Sequence, residues 1–327
     1  MRLRSTDADP SRTSIPVTQH NPSVARRIAL SRSAPSDSFG LTKRVYFTID
    51  CDWVPGSQKG LETLLTCCDR YQLTGTVFFT GRFAQAYPDL VRACRDQGHQ
   101  LGTHGWAHGG LEDDEDFRRA GYEQQRDWIR RSTEAVERAA GVRPVIFRAP
   151  NLWIGETTLR VLEEEGYLYD SSIPARRSDF ALGRVHYLKY FWAPTTAYRP
   201  SETDFSLPGA SAITEVPPSA CLLPINLAAL RVLGLPVFGR MIDWCSRTSG
   251  QVVFYCHPSE FVYAKDQQFP STMSKWNRRG MRPDNIHLVE ALLDHLFERH
   301  FVAAHIMPAS IPDLDLNEPL VLRAGGF

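Results

Sequence analysis

From Lys43 onward the chain alternates short apolar runs with amphipathic stretches, and this alternation restricts the fold more than any other feature. Val45–Asp50, Thr76–Thr80, Gln100–Thr103, Val145–Phe147, Ala212–Val216, Val252–Cys256 and Phe301–His305 have the length and β-branched or aromatic content of strands. Between them, Leu61–Tyr71, Pro88–Gln97, Asp116–Ala140, Glu156–Glu165, Ile225–Cys245 and Asn285–His300 read as helices, with Gly141 and Gly166 as stops. Tyr169–Ser172 reads as a polar strand end, and Arg176–Ser211 holds no long periodic element. Strands separated by helices pair in parallel through crossovers, so the pattern predicts an α/β fold, either a barrel or a doubly wound sheet. Both place chemistry at the C-terminal strand ends, where Asp50, Asp52, His104, Arg148, Asp170 and His257 fall.

The strand ends carry the residue types of a metal site. His104 and His108 are spaced i, i+4, a spacing that puts two imidazoles on one side of a helical turn. The run from Val45 ends in Asp50 and Asp52, and residues two apart in a strand face the same way. Two carboxylates at the end of a buried strand are costly unless paired or coordinating. Two histidines and one carboxylate leave coordination positions open, which lets a zinc ion acidify its water and polarise an acyl oxygen. Such mixed nitrogen and oxygen sites also suit cobalt, nickel or iron. A second, unligated carboxylate can then act as base, a role that Asp50 fits with Arg148 holding it ionised, and His257 can donate a proton to a leaving nitrogen.

Composition excludes other classes. With 37 basic and 37 acidic residues the formal charge is zero, and no basic stripe points to nucleic acid. No G-x-G-x-x-G or P-loop pattern occurs, which argues against a nucleotide cofactor. The seven cysteines are scattered, without a C-x-x-C, and read as free thiols of a reducing, cytoplasmic setting. No apolar run reaches the roughly 20 residues of a membrane span. Residues 1–42 are rich in Ser, Pro and Arg and read as a disordered, mildly basic tail; residues 43–310 form the expected catalytic domain and 311–327 a C-terminal extension.

Taken together, Thr48-Ile-Asp50-Cys-Asp52, His104-Gly-Trp-Ala-His108, Phe147-Arg148-Ala-Pro150, Tyr169-Asp170-Ser171-Ser172 and Tyr255-Cys-His257-Pro258 resemble, in order and spacing, the motif series of the polysaccharide deacetylases. These are the nodulation-type chitooligosaccharide deacetylases, carbohydrate esterase family four. The resemblance implies a distorted (β/α) barrel with fewer than eight parallel strands and a metal-dependent amidase of N-acyl sugars. Carried over by position, Asp52, His104 and His108 hold one divalent metal, Asp50 is the base, Arg148 fixes Asp50, and His257 is the acid. Asn151 matches the position whose backbone N–H stabilises the oxyanion in the family. Trp53, Trp106, Pro150, Asn151, Trp153, Asp170 and Ser171 are expected at the substrate. The family's usual first motif has adjacent aspartates followed by glycine, whereas here Cys51 separates them and Trp53 follows. That departure is similar to a subset acting on lipid-linked sugars, exopolysaccharides or cyclic amides.

Three functions follow as expectations: removal of an N-acetyl or N-formyl group from an amino sugar in cell-surface glycan biosynthesis, hydrolysis of a non-sugar cyclic amide on the same site, and carbohydrate binding without catalysis. The stretch Cys221–Trp244 is apolar nearly all round but broken by Pro224, Gly234, Pro236 and Gly239. Such a segment either packs in the core or, with Arg231 and Arg240 at headgroups, rests on the inner face of a membrane and presents the site to a lipid-linked glycan.

Overall fold

A computed structural model describes residues 43–108, 115–178, 180–181, 184–185, 187–267 and 275–307; the expected tail and C-terminal extension lie outside the described residues. The strands and helices run β1 (Arg44–Cys51), α1 (Ser57–Tyr71), β2 (Thr76–Phe79), α2 (Gly81–Ala86), α3 (Pro88–Asp96), β3 (Gln100–Thr103), α4 (Tyr122–Ala140), β4 (Ile146–Phe147), α5 (Glu156–Glu164) and β5 (Tyr169–Asp170). Then follow β6 (Phe180–Ala181), β7 (Arg184–Val185), β8 (Thr214–Glu215), β9 (Ala220–Cys221), β10 (Leu223–Pro224), α6 (Leu227–Ser249), β11 (Gln251–Cys256), α7 (Lys275–Gly280), α8 (Asn285–Glu298) and β12 (Val302–Ala303).

Among the described residues, seven parallel strands form one curled sheet in the order β11-β1-β2-β3-β4-β5-β8, with β12 paired to the start of β1. After β8 the chain returns to β11, where Asn226 bridges Tyr255 in parallel and the Ser219 hydroxyl accepts from Val253 N–H at 2.9 Å. The architecture is a distorted α/β barrel with fewer than eight strands around the curl. β6–β7 and β9–β10 are small antiparallel pairs outside it.

The period of two along each strand sorts the side chains. Val45, Phe47, Ile49 and Cys51 of β1 pack outward on α1 and α8, in a cluster with Leu61, Leu65, Val289 and Leu293. Their alternates Tyr46, Thr48 and Asp50 face the inside of the curl. There Phe78, Ile146, Tyr169, Val216 and Val253 close its floor, with Tyr46 against them. Above this apolar plug the inward positions become polar.

Two elements differ from expectation for local reasons. α4 starts at Tyr122 rather than Asp116, because the Asp116 carboxylate accepts from the Arg118 backbone N–H (3.1 Å) and side chain, which makes a turn, and Gly121 is extended. The helix α6 runs to Ser249, capped by the Asn226 side chain, but breaks at Gly234 (φ 70°, ψ 160°), two residues before Pro236. Its inner face, with Leu227, Leu230, Phe238, Ile242 and Cys245, packs in the core, while Val232, Val237 and Trp244 remain exposed.

Candidate metal centre and acid–base residues

Asp52, His104 and His108 converge at the C-terminal ends of β1 and β3, where one potential ligand atom of each lies within 4.8 Å of the others, and all three are buried. The i, i+4 spacing works differently from the helical turn expected: residues 104–108 form an irregular loop, turned at Gly105 with φ 72°. A side chain at Gly105 would place its Cβ 2.2 Å from the Glu115 carboxylate and 2.8 Å from the Pro150 ring. Only glycine combines that backbone with that clearance. The loop is pinned from below by Glu115, whose carboxylate accepts the backbone N–H of Trp106 (2.7 Å) and Ala107 (3.2 Å). Burial raises the Glu115 pKa to about 7 despite these donors.

The ligand set is prepared for a cation. Burial lowers the His104 pKa to about 4 against the pull of Asp50 and Asp52, so the imidazole is neutral. Its Nδ1–H donates to the Arg148 carbonyl (2.8 Å), which leaves the Nε2 lone pair facing Asp52 Oδ1 at 3.5 Å. Asp52 Oδ1 is buried and has no hydrogen-bond partner among the described residues. A buried, unsatisfied carboxylate oxygen beside two imidazoles fits a divalent metal.

Asp50 stands beside this group with a different partner. Arg148 has no solvent exposure and uses every edge of its guanidinium: Nη1 donates to Asp50 Oδ1 (2.8 Å) and Thr48 Oγ1 (2.7 Å), Nη2 to Ser171 Oγ (2.9 Å), and Nε to the Ser171 carbonyl (3.0 Å). The Phe78 ring lies 4.3 Å below it. Burial raises the Asp50 pKa, but Arg148, then His104 and His257, outweigh it and hold the carboxyl below its ordinary value. Asp50 is therefore ionised and aimed.

His257 follows β11 and forms the accessible side of the site, with 30% of its side chain exposed and Nε2 4.0 Å from Asp52 Oδ2. Glu260 orients it, accepting the His257 backbone N–H at 2.9 Å and lying 3.4 Å from Nδ1. Burial lowers the His257 pKa, yet Asp52 and Glu260 together carry it up to about 10. A cation on Asp52 would oppose that rise. Glu260 was not among the expected site residues; its sequence signal is the His257-Pro-Ser-Glu260 capping-box spacing.

The expected substrate residues separate into groups. Trp53 donates its backbone N–H to the His108 carbonyl (2.7 Å) and packs on Tyr87, beside the metal loop. Trp106 is buried between the guanidinium groups of Arg82 and Arg131, a packing position. Pro150 is buried, and Asn151 and Leu152 both have left-handed backbones (φ 55° and 56°) that swing the chain off β4. Trp153 stacks under Arg118 at 4.0 Å and lines a cavity of about 520 Å³ with Leu152, Tyr187, Lys189 and Tyr190. Asp170 and Ser171, also expected at the substrate, have no solvent exposure. Ser171 holds Arg148 from behind. Asp170 alternates with Tyr169 of the inner plug and faces the outer side of the sheet, against Glu215.

The profile of the polysaccharide deacetylase family matches residues 40–169, a stretch that contains Asp50, Asp52, His104, His108 and Arg148. Similar proteins include the peptidoglycan deacetylase-like protein FGM2 of Gibberella zeae, 30% identical over 167 residues, covering 48% of this chain and 46% of that one. The peptidoglycan deacetylase of Helicobacter pylori is 26% identical over 116 residues (36% of this chain, 38% of that protein). The peptidoglycan-N-acetylmuramic acid deacetylase PdaA of Bacillus subtilis is 32% identical over 94 residues (27% and 34%). The matched stretch thus spans less than half the length of each relative. By the stretch 40–169 and its motif series, the chain is similar to the polysaccharide deacetylase family.

Proposed function

We propose that the protein is a metal-dependent hydrolase that removes an N-acyl group, acetyl or formyl, from an amino sugar of a glycan. The observation that carries this reading is the approach of three parts at one rim of the sheet: the Asp52–His104–His108 group, the Asp50–Arg148 pair and His257. The names of the relatives, all deacetylases of peptidoglycan or like them, support a glycan substrate.

Asp52, His104 and His108 would hold a divalent cation, zinc being the best suited, which would supply Lewis acidity for the water and the amide carbonyl. Asp50 accepts the proton of the attacking water, kept in its basic form by Arg148. His257 Nε2 donates a proton to the nitrogen as the C–N bond breaks, so that one water and one amide give a carboxylate and an amine. Asp52 would be a ligand of that cation, which leaves proton transfer to Asp50. The backbone N–H of Asn151, in the left-handed turn after Arg148, is assigned to the carbonyl oxygen.

A lipid-linked glycan and contact with a membrane surface remain part of the proposal, supported by exposed Leu222, Leu223, Val232 and Val237 around the start and break of α6. Arg231 does not serve as a headgroup anchor, since it is drawn inward to Glu260 (3.5 Å) and the Gly280 carbonyl (3.0 Å). No described helix is long and apolar enough to cross a membrane. All seven cysteines are free and six are buried, which supports the reducing setting expected.

The test is release of free amine and carboxylate from N-acetylated and N-formylated glycan fragments, soluble and lipid-linked, with the protein loaded with zinc. Release from at least one class, faster on vesicles for the lipid-linked form, is expected. No release from any N-acyl sugar by a protein shown to carry one metal would refute the reading, and failure to float with vesicles would remove the membrane part alone.

A further inference from the structure

The face of the sheet turned away from the site holds a pair of carboxylates that the proposed chemistry does not use. Asp170 of β5 and Glu215 of β8 are register partners on adjacent parallel strands, and neither has any solvent exposure. Glu215 accepts the backbone N–H of Ile173 (3.0 Å) and Ser172 (3.5 Å). Asp170 Oδ1 accepts the Ser172 hydroxyl (2.6 Å), which itself accepts the Ala149 backbone N–H (2.8 Å). Asp170 Oδ2 is buried with no donor among the described residues, and the two carboxyl groups are within hydrogen-bond range of each other. Two buried carboxylates in contact cannot both carry charge without a cation between them. Among the described residues the cation nearby is Arg148, and it is committed to Asp50 on the far side of Ser171. The remaining titratable groups facing the pair, Tyr190 and Tyr198, are neutral phenols that burial pushes further up, with hydroxyls given to the Ile154 and Phe205 carbonyls.

We propose that Asp170 and Glu215 share one proton, and that this proton-bridged pair is a positioning device that sets Ser171 and Ser172 and through them aims Arg148 at Asp50. The chain of contacts is continuous. The pair fixes the backbone of Ser172 and Ile173; Ser171 offers both its carbonyl and its hydroxyl to Arg148, the hydroxyl giving its own proton to the Val216 carbonyl (2.8 Å) next to Glu215; and Ser172 clamps Ala149, the residue after Arg148. Consistently, burial and then Asp170 drive Glu215 well above its ordinary pKa, and burial raises Asp170. The pair is thus a cross-brace on the outer side of the sheet for a guanidinium on the inner side.

Glu215→Gln replaces the shared proton with a permanent amide N–H and is the variant that decides the proposal. Its activity arm rests on the reading of Asp50 as the base, whereas its stability and infrared arms do not. In the wild type, folding takes up a proton at the pair, so stability is greatest at low pH and declines as pH rises past the unfolded carboxylate value of about 4.5. Glu215→Gln does not take up that proton. Its melting temperature is expected to gain on the wild type progressively from about pH 5 to about pH 9, and the carboxylic-acid carbonyl band of the wild type at about pH 9, where Glu115 with its pKa of about 7 is ionised, is expected to disappear. Its kcat and KM stay within about twofold of the wild type, while Glu215→Ala lowers kcat about tenfold or more with KM little changed, through misaimed Arg148. A flat melting difference across that pH range, or retention of the acid band in Glu215→Gln, would overturn the shared proton. Full kcat in a folded Glu215→Ala would overturn the positioning role. Should Glu215→Ala fail to fold, a Glu215→Gln as inactive as a metal-site variant would do the same. If the wild type itself hydrolyses no N-acyl sugar, the melting and infrared results still decide whether the proton is shared.

Discussion

Arg148 is fully buried, where a guanidinium survives only with acceptors around it, and Thr48, Asp50 and Ser171 supply them. Its arrangement separates Asp50 from Asp52 although the two are near neighbours in sequence. Asp50→Asn should keep the metal and lower turnover by about two to four orders of magnitude, since only proton transfer is lost. Asp52→Asn should lose metal affinity, and metal content measured beside turnover in both variants distinguishes them; an empty site in Asp50→Asn would mean that the two roles are exchanged. Gly105→Ala is expected to destabilise the protein by about 1–3 kcal/mol and to loosen metal binding, because the left-handed backbone and the Glu115 carboxylate at 2.2 Å both oppose a Cβ. Thermal melting and a metal-affinity titration read the two effects.

At the scale of elements, the site depends on how closely helices approach the turns that bear it. A Cβ on Gly60 of α1 would lie 1.8 Å from the Pro258 carbonyl, so the helix touches the turn that begins at His257 backbone to backbone. Gly60→Ala should cost about 1–3 kcal/mol, seen as a lowered melting temperature, and should reduce turnover at unchanged metal content by shifting His257. β3 and α5 were legible in the sequence to within a residue because their apolar periods and stops are strong. The candidate ligands Asp52, His104 and His108 were legible as a group that converges, but not the shape that joins them: the spacing of His104 and His108 suits a helical turn, and a glycine in left-handed conformation with a carboxylate beneath it builds a loop instead. The side of the sheet that Asp170 faces was not legible, because a two-residue strand carries too short a period to show it. Glu215 went unread for a related reason, although an acidic residue inside the apolar run Ala212–Val216 signals a buried carboxylate in need of a partner.

For the molecule as a whole, the neutral buried histidine at the floor of the barrel sets its response to acid. His99 Nδ1 accepts the Gly75 backbone N–H at 3.1 Å, and burial, with His305 nearby, lowers its pKa to about 4. The unfolded chain protonates His99 near pH 6.5, so its contribution of up to about 3 kcal/mol is complete above that pH and is lost as pH falls through about 4. His305, also lowered by burial, adds a smaller effect of the same sign. Acid unfolding curves should therefore be steeper for the wild type than for His99→Asn between these limits. The barrel itself brings residues more than 200 positions apart, Asp50 and His257, to one rim, and the proposed function rests on that convergence with a cation. The most direct measurement is carboxylate release from an N-acetylated glycan by the protein as purified, after exhaustive chelation, and after addition of one equivalent of zinc. The structure predicts release that chelation abolishes and zinc restores in wild type but not in His104→Ala; undiminished release from the chelated protein would contradict it.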